Sequence, residues 1–293
     1  MDTRAGLTHA AGVNLTPLDH WNFGANVDFG TLVDRDTGAD TKRKAGGLRI
    51  GYGLDRVSLS TGLEYRFDQT QLVAGGWSDR TTYLVRNNLK YEITPSWRVI
   101  GKMNYSKSDS SLGTLYDGGY TEGVLGWAYR PVDNDRLNML AKYTFFYNVP
   151  AVDQLNLSNT STSTRFLQKS HIASLDVTYD LFSNLTVGAK YAYRMGQASL
   201  DRANPQFFQN DAHLYVLQTN YRFLRDWEAW AEYRLLDLPD ISDHRSGAMI
   251  GVYRYVGERM KLGVGYNFTN FSDDLTDLSF SSHGFFVNFN VSM

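Results

Sequence analysis

The stretch WNFGANVDFG, residues 21–30, decides the fold class. Its apolar members Trp21, Phe23, Ala25, Val27 and Phe29 alternate with Asn22, Gly24, Asn26, Asp28 and Gly30. Successive side chains of a β-strand point to opposite faces, so a period of two builds one greasy face and one polar, small-residue face. A helix, at 3.6 residues per turn, would mix the two sets.

Working outward from this stretch, the same pattern recurs along the chain. Val57, Leu59, Leu63, Tyr65 and Phe67 alternate with Ser58, Ser60, Gly62, Glu64, Arg66 and Asp68. Leu137, Met139, Ala141, Tyr143, Phe145 and Tyr147 do so with Asn138, Lys142 and Thr144, and Leu185 to Tyr193 with Thr186, Gly188, Lys190 and Arg194. Residues 227–235 and 262–269 repeat it, while Ile100, Leu140, Val216 and Trp230 interrupt the polar side. No segment has a helical period of any length, and no domain boundary is visible, so residues 1–293 read as one domain.

The connections fall into two alternating classes. Short turns are expected at residues 17–20, 54–56, 94–96, 132–135, 182–184, 225–226 and 257–258. Longer polar connections are expected at 34–42, 69–79, 109–118, 150–164, 200–210, 239–245 and 273–278. Strict short–long alternation is the pattern of an antiparallel up-and-down transmembrane β-barrel, with tight periplasmic turns and long extracellular loops. A soluble sandwich or propeller has no reason to sort its loops this way. The expected fold is therefore an all-β barrel of about fifteen or sixteen strands, integral to a Gram-negative cell outer membrane.

Composition agrees. Tyr 19, Phe 16, Trp 6 and Gly 26 stand against only Pro 6. The mean hydropathy of -0.37 is no objection, because the lumen-facing half of each barrel strand can be polar. No apolar run reaches the length of a membrane-spanning helix. The chain has no Cys, which excludes a disulfide framework and thiol metal sites, and its net charge of -2 gives no electrostatic case for nucleic acid. The opening MDTRAGLTHAAG lacks a basic region followed by an apolar one, which suggests a mature or trimmed chain. Trp21, Trp97, Trp227 and Phe182 lie beside short turns, and Tyr105, Tyr147 and Phe271 toward the opposite strand ends, as two interfacial girdles would require.

The inward face carries the residues of interest. Alternation sends Arg49, Arg66, Arg86, Lys90, Arg98, Lys102, Arg130, Lys142, Lys190, Arg194, Arg222, Arg234 and Arg254 inward, beside Glu64, Asp68, Glu92, Glu122, Asp176, Glu228 and Glu232. A basic residue facing lipid at the bilayer midplane would cost roughly 2–4 kcal/mol, so these must line a wet or internally paired lumen. Such a wall suits a conduit preferring anions, or a mixed-charge network that stiffens the barrel; the interleaving of acids and bases favours the network.

Other constellations carry less. Gly51-Tyr52-Gly53 and Gly263-Val264-Gly265 precede no helix, as a dinucleotide site would need, and instead smooth the inner face. The histidines share no metal-ligand spacing, and His171 and Ser170, adjacent in a strand, face opposite sides. No catalytic, cofactor or metal site is expected. Acids in the long connections, such as Asp34, Asp36 and Asp40 or Asp273, Asp274 and Asp277, could hold divalent cations bridging lipopolysaccharide, though solvated loop tips explain them as well.

The final stretch GVGYNFTNFSDDLTDLSFSSHGFFVNFNVSM, residues 263–293, resembles the closing hairpin of C-terminal outer-membrane barrels in very large Gram-negative surface proteins. Those proteins carry long repeat or adhesin-like regions ahead of the barrel, in the manner of autotransporters. YLVRNNLKYEITPSWRVIGKMNYS (83–106) and GVLGWAYRPVDNDRLNMLAKYTFFYNVP (123–150) resemble internal hairpins of the same barrels. The resemblance implies a membrane anchor, translocator or conduit of a larger cell-surface assembly, with outer-membrane lipid and lipopolysaccharide as surroundings. It also implies that Phe285, Val287, Phe289, Val291 and Met293 form the signal read by the barrel-assembly machinery. Such chains usually end in an aromatic residue, where this one ends in Met293. The alternative, resting on the charged inner face, is a general diffusion porin or selective channel, with residues 150–164 as its candidate constriction.

Parity adds one expectation. Fifteen strands with the C-terminus at the short-turn rim make the first strand, residues 5–15, run the same way as the last. Closure then needs a further strand, upstream of Thr3 or from a partner chain, because an open edge in lipid leaves backbone groups unsatisfied.

Overall fold

The computed structural model describes residues 4–34, 38–72, 75–113, 117–149, 167–201, 204–257, 260–271, 275 and 283–291. They form one antiparallel sheet of sixteen strands, an up-and-down β-barrel fold in which each long strand pairs with the next in sequence. The first half comprises β1 (Arg4–Leu18), β2 (Trp21–Asp34), β3 (Asp40–Leu54), β4 (Val57–Gln71), β5 (Trp77–Thr94), β6 (Trp97–Ser110), β7 (Gly118–Tyr129) and β8 (Leu137–Val149). The second comprises β9 (Leu167–Phe182), β10 (Leu185–Ser199), β12 (Ala212–Leu224), β13 (Trp227–Leu238), β14 (Asp243–Val256), β15 (Met260–Asn267) and β16 (Gly284–Val291). The two-residue β11 (Phe208–Gln209) folds back from the 200–211 connection onto the end of β10 alone.

Register fixes which residues share a face. Trp21, Phe23, Ala25 and Val27 stand opposite Tyr52, Ile50, Leu48 and Gly46, and this side continues through Leu59, Leu63 and Tyr65 to Val85 and Tyr83. It is the exposed apolar face: Val27, Leu48, Leu63, Leu175, Leu217, Ile250 and Val264 are all more than a third exposed. Strand-interior residues that are buried, such as Asp68, Thr82, Thr144, Ile172, Leu214 and Leu236, lie on the other face. Crowding of that face is the expected result of a sheet curved around it. An exposed apolar surface of this extent is tolerable only against lipid.

Short turns lie where expected at residues 19–20, 55–56, 95–96, 183–184 and 225–226, with 130–136 longer than expected; the turn expected at 257–258 lies partly outside the described residues. On the opposite side the strands reach further into the 34–42, 69–79 and 239–245 connections read from sequence: β3 opens at Asp40, β4 ends at Gln71, β5 opens at Trp77 and β14 opens at Asp243. Polar residues there continue the ladders: on the inner face the Thr41 and Thr70 hydroxyls meet at 3.1 Å, and on the outward face Gln69 donates to Asp79 at 2.9 Å. Beyond the lipid boundary a polar outward residue costs nothing, so pairing runs on. Strands of 12–18 residues, such as β7 and β5, thus exceed the roughly 9–11 that cross a bilayer. The candidate constriction at 150–164 lies outside the described residues.

Tilted ring pairs mark the short-turn rim, with Trp21 against Tyr52 at 4.8 Å and Trp97 against Tyr129 at 4.4 Å. Tyr105 faces outward opposite Val85, but Phe271 is no girdle residue. It is 2% exposed and packs with Leu275 against Leu214 and Leu236 of the inner face.

β16 ends at the short-turn rim, since Val291 pairs with Met260, which opens β15 and pairs in turn with Val256 at the end of β14. Among the described residues no ladder joins β1 to β16, and the fifteen long strands make these two run in the same direction. Labelling can check the orientation, because the chain has no Cys. A membrane-impermeant maleimide is expected to label Leu112→Cys on intact cells and to miss Asp55→Cys until the outer membrane is opened. The reverse pattern would invert the topology.

Candidate functional site: the charged inner wall

Glycines on the inner face give room to neighbouring side chains, mostly amides: a Cβ at Gly51 would lie 2.4 Å from Asn22 and one at Gly188 2.5 Å from Gln218. In one row across the strands, Arg49 stands between Gly24 and Gly62, Arg86 follows Gly62, and the row continues through Asn104 to Glu122. Aromatic residues use the same device further on. A Cβ at Gly263 would lie 2.2 Å from the Tyr253 ring, and one at Gly265 2.4 Å from Phe286.

Acids and bases meet across strands. Arg43 grips Asp68 with Nε at 2.8 Å and Nη2 at 3.1 Å, and Arg66 Nε lies 3.5 Å from the same carboxylate. Glu122 accepts from Lys102 Nζ, from Asn104 at 2.8 Å and from the Tyr120 hydroxyl at 3.1 Å. Near the short-turn rim Glu228 accepts from Tyr255 at 2.6 Å and Lys261 at 2.9 Å. Lys261 also lies over the Tyr253 ring at 4.4 Å, and Arg222 over Tyr255 at 5.2 Å. Arg98 pairs with Glu92 at 3.3 Å and Arg86 approaches Glu64 at 3.9 Å, while within β13 itself Arg234 bonds Glu232.

The remaining basic residues sit among these. Lys90 stands opposite Ser58, Lys142 opposite Gly126 and Ser174, and Lys190 opposite Asp176. Arg194 is buried to 1% exposure between Ile172 and Ala212. Arg130 is not a strand residue: it lies one position past β7, in the connection to β8. There it lines a cavity of about 540 Å³ with Arg98, Ile100, Leu140 and Asp176.

Arg254 departs from the sequence reading. It pairs in register with Trp227 on the outward face, its guanidinium 5.5 Å from that ring. In 252–256 the outward set is Val252, Arg254 and Val256, while Tyr253 and Tyr255 point inward. Both sets are partly apolar, so alternation alone leaves the face ambiguous. At the short-turn rim an outward guanidinium can reach the headgroup layer while its stem stays in lipid.

Sequence reasoning missed Arg43 and Lys261. Extending the alternation one residue before Leu262 puts Lys261 on the face of Gly263, so that signal was present. It also missed Phe271 and Leu275, which cover an apolar patch of the inner wall made by Ile172, Ala192, Leu214, Val216 and Leu236. Arg234 Nη1 donates to the Phe271 carbonyl at 3.4 Å, and Thr269 sits over Gly247. Phe285, Val287 and Phe289 share the outward face of β16, at 90%, 79% and 60% exposure. Met293 and the Val291 side chain lie outside the described residues.

No protein-family model and no curated protein sequence matches the chain. Solved structures do. The open form of the ferric-catecholate import receptor Fiu from E. coli K12 matches with a TM-score of 0.60 at 9% identity, over 91% of this chain and 59% of that one. The siderophore receptor PirA from Pseudomonas aeruginosa matches at 0.59 and 12% identity, over 86% and 46% of the two chains. The ferric yersiniabactin uptake receptor FyuA from Yersinia pestis matches at 0.52 and 14%, over 96% and 52%. The fold is that of an outer-membrane β-barrel. With the lipid-facing apolar belt, that fold makes the chain an integral outer-membrane protein. It spans 59% or less of each of these three receptors, and identities this low carry the fold and nothing of their cargo.

Proposed function

We propose that this barrel is the outer-membrane anchor or conduit of a larger cell-surface assembly. The observation that carries the reading is the pair of unjoined edges. β1 and β16 run in the same direction and share no ladder among the described residues. A second copy in the same membrane does not supply the missing direction, because a two-fold axis along the membrane normal leaves every downward strand downward. One further extended segment, running opposite to both, satisfies both edges, and on this reading the larger assembly supplies it, as an upstream part of the same polypeptide or as a partner chain. Either way an edge left open in lipid would strand unsatisfied backbone groups. Two features support the same reading: the cross-strand ion pairs of the inner wall and the apolar patch under Phe271 and Leu275. The resemblance to C-terminal barrels of repeat-bearing surface proteins points the same way.

The second reading, a diffusion porin or selective channel, is favoured by Arg86 and Arg98, whose side chains remain 62% and 66% exposed within the inner face. Planar-bilayer recording separates the two. The isolated chain is expected to give no large, steady conductance. Steady porin-like steps from the chain alone would overturn the anchor reading.

A further inference from the structure

The lysines of the strands are sorted by face and by height. Lys90, Lys102, Lys142, Lys190 and Lys261 lie on the inner wall. Lys42, Lys44, Lys107 and Lys169 face outward, and each sits in the long-loop part of its strand. None of the outward lysines is near the short-turn rim, where the outward cation is Arg254.

One outward lysine stands at a hollow. A cavity of about 430 Å³ opens on the outward side of β8, β9 and β10, lined by Tyr143, Lys169, His171, Met195, Gln197 and Asp211. Lys169 and His171 are two residues apart in β9 and so share a face. The Lys169 ammonium lies 4.5 Å from the Phe207 ring, and among the described residues it forms no ion pair. The Tyr143 hydroxyl is 2.6 Å from His171 Nδ1. With that hydroxyl donating, Nε2 carries the ring proton and is the donor left for a ligand. Asp211 is an acid in the same lining, but its carboxylate already accepts from the Tyr193 hydroxyl at 3.1 Å and the Gly196 N–H at 3.1 Å.

The height of the hollow identifies its surroundings. One step toward the short-turn rim lie Tyr143, Ala173, Tyr193 and His213 in register, and the next step is the apolar row Ala141, Leu175, Tyr191 and Tyr215. The hollow therefore sits at the upper edge of the belt, where headgroups meet acyl chains. An ammonium and an imidazole N–H at that level, with the Gln197 amide beside them, suit a phosphate, whose oxygens accept charge-assisted hydrogen bonds. The apolar row beneath suits acyl chains carried by the same molecule.

We propose that this hollow binds the phosphorylated headgroup of an acylated glycolipid in the outer leaflet. The inference rests on the long-loop rim facing the cell exterior, which the cysteine labelling tests separately; it is independent of the anchor or porin reading. The test titrates the purified chain with bisphosphorylated lipid A and with its dephosphorylated form, followed by native mass spectrometry. The phosphorylated form is expected to bind about tenfold tighter. The Lys169→Ala/His171→Ala variant should lower that binding about tenfold and leave the dephosphorylated form unchanged, while Lys169→Arg retains most of it. Heat-modifiable migration on gels confirms that each variant is folded. Equal binding of the two lipids, or a folded double variant that binds like the original, overturns the proposal.

Discussion

Leu217→Arg is expected to destabilise the barrel by about 2–4 kcal/mol in a bilayer, while Gln218→Arg, its immediate neighbour, is expected to change stability by less than about 1 kcal/mol. Leu217 lies near the middle of β12, is 62% exposed, and stands in register with Ala189 and Tyr233 of the outward belt. A guanidinium there faces hydrocarbon unless the bilayer thins around it. Gln218 faces the inner wall between Gly188 and Glu232, where an arginine meets water and a carboxylate. Hydrophobicity, size and charge of the new residue are identical in the two variants, so the difference isolates which side of the sheet meets lipid. Urea unfolding in lipid vesicles reads it directly. Equal losses at the two positions would mean that the sheet does not separate lipid from lumen.

Asp68→Ala is expected to cost about 3–5 kcal/mol, the range for removing one partner of a buried ion pair. The carboxylate is 5% exposed, holds Arg43 through two hydrogen bonds, and lies close to Arg66. Its loss leaves two guanidinium groups on adjacent strands with nothing between them. Arg43→Met combined with Asp68→Leu should lose much less, since it removes the charge together with its partner. If the single variant loses under about 1 kcal/mol, lumen water solvates the arginines and the pair behaves as an ordinary surface ion pair.

The strands and their sequential pairing were legible in the sequence for one physical reason. Between lipid and lumen the two faces of each strand meet opposite solvents, and a one-residue slip exchanges them. Trp21 to Gly30 or Leu185 to Arg194 therefore carries its facing in its own alternation, with no knowledge of its neighbours. Most of the inward cations could be named on the same ground. Arg254 could not, because Tyr253 and Tyr255 make the inner set as aromatic as the outer is aliphatic; only its register with Trp227 assigns the face.

Other features needed the tertiary structure because they join residues far apart in the chain. Phe271 and Leu275 look like loop or girdle residues until the wall formed by Leu214 and Leu236 comes to meet them. The hollow at Lys169 takes Tyr143, Met195 and Asp211 from different parts of the chain, and no local period records that they share a height above the belt. Facing is set residue by residue by the solvent each side chain meets. Height, partnership and closure depend on which strand stands beside which, and that is a property of the assembled sheet.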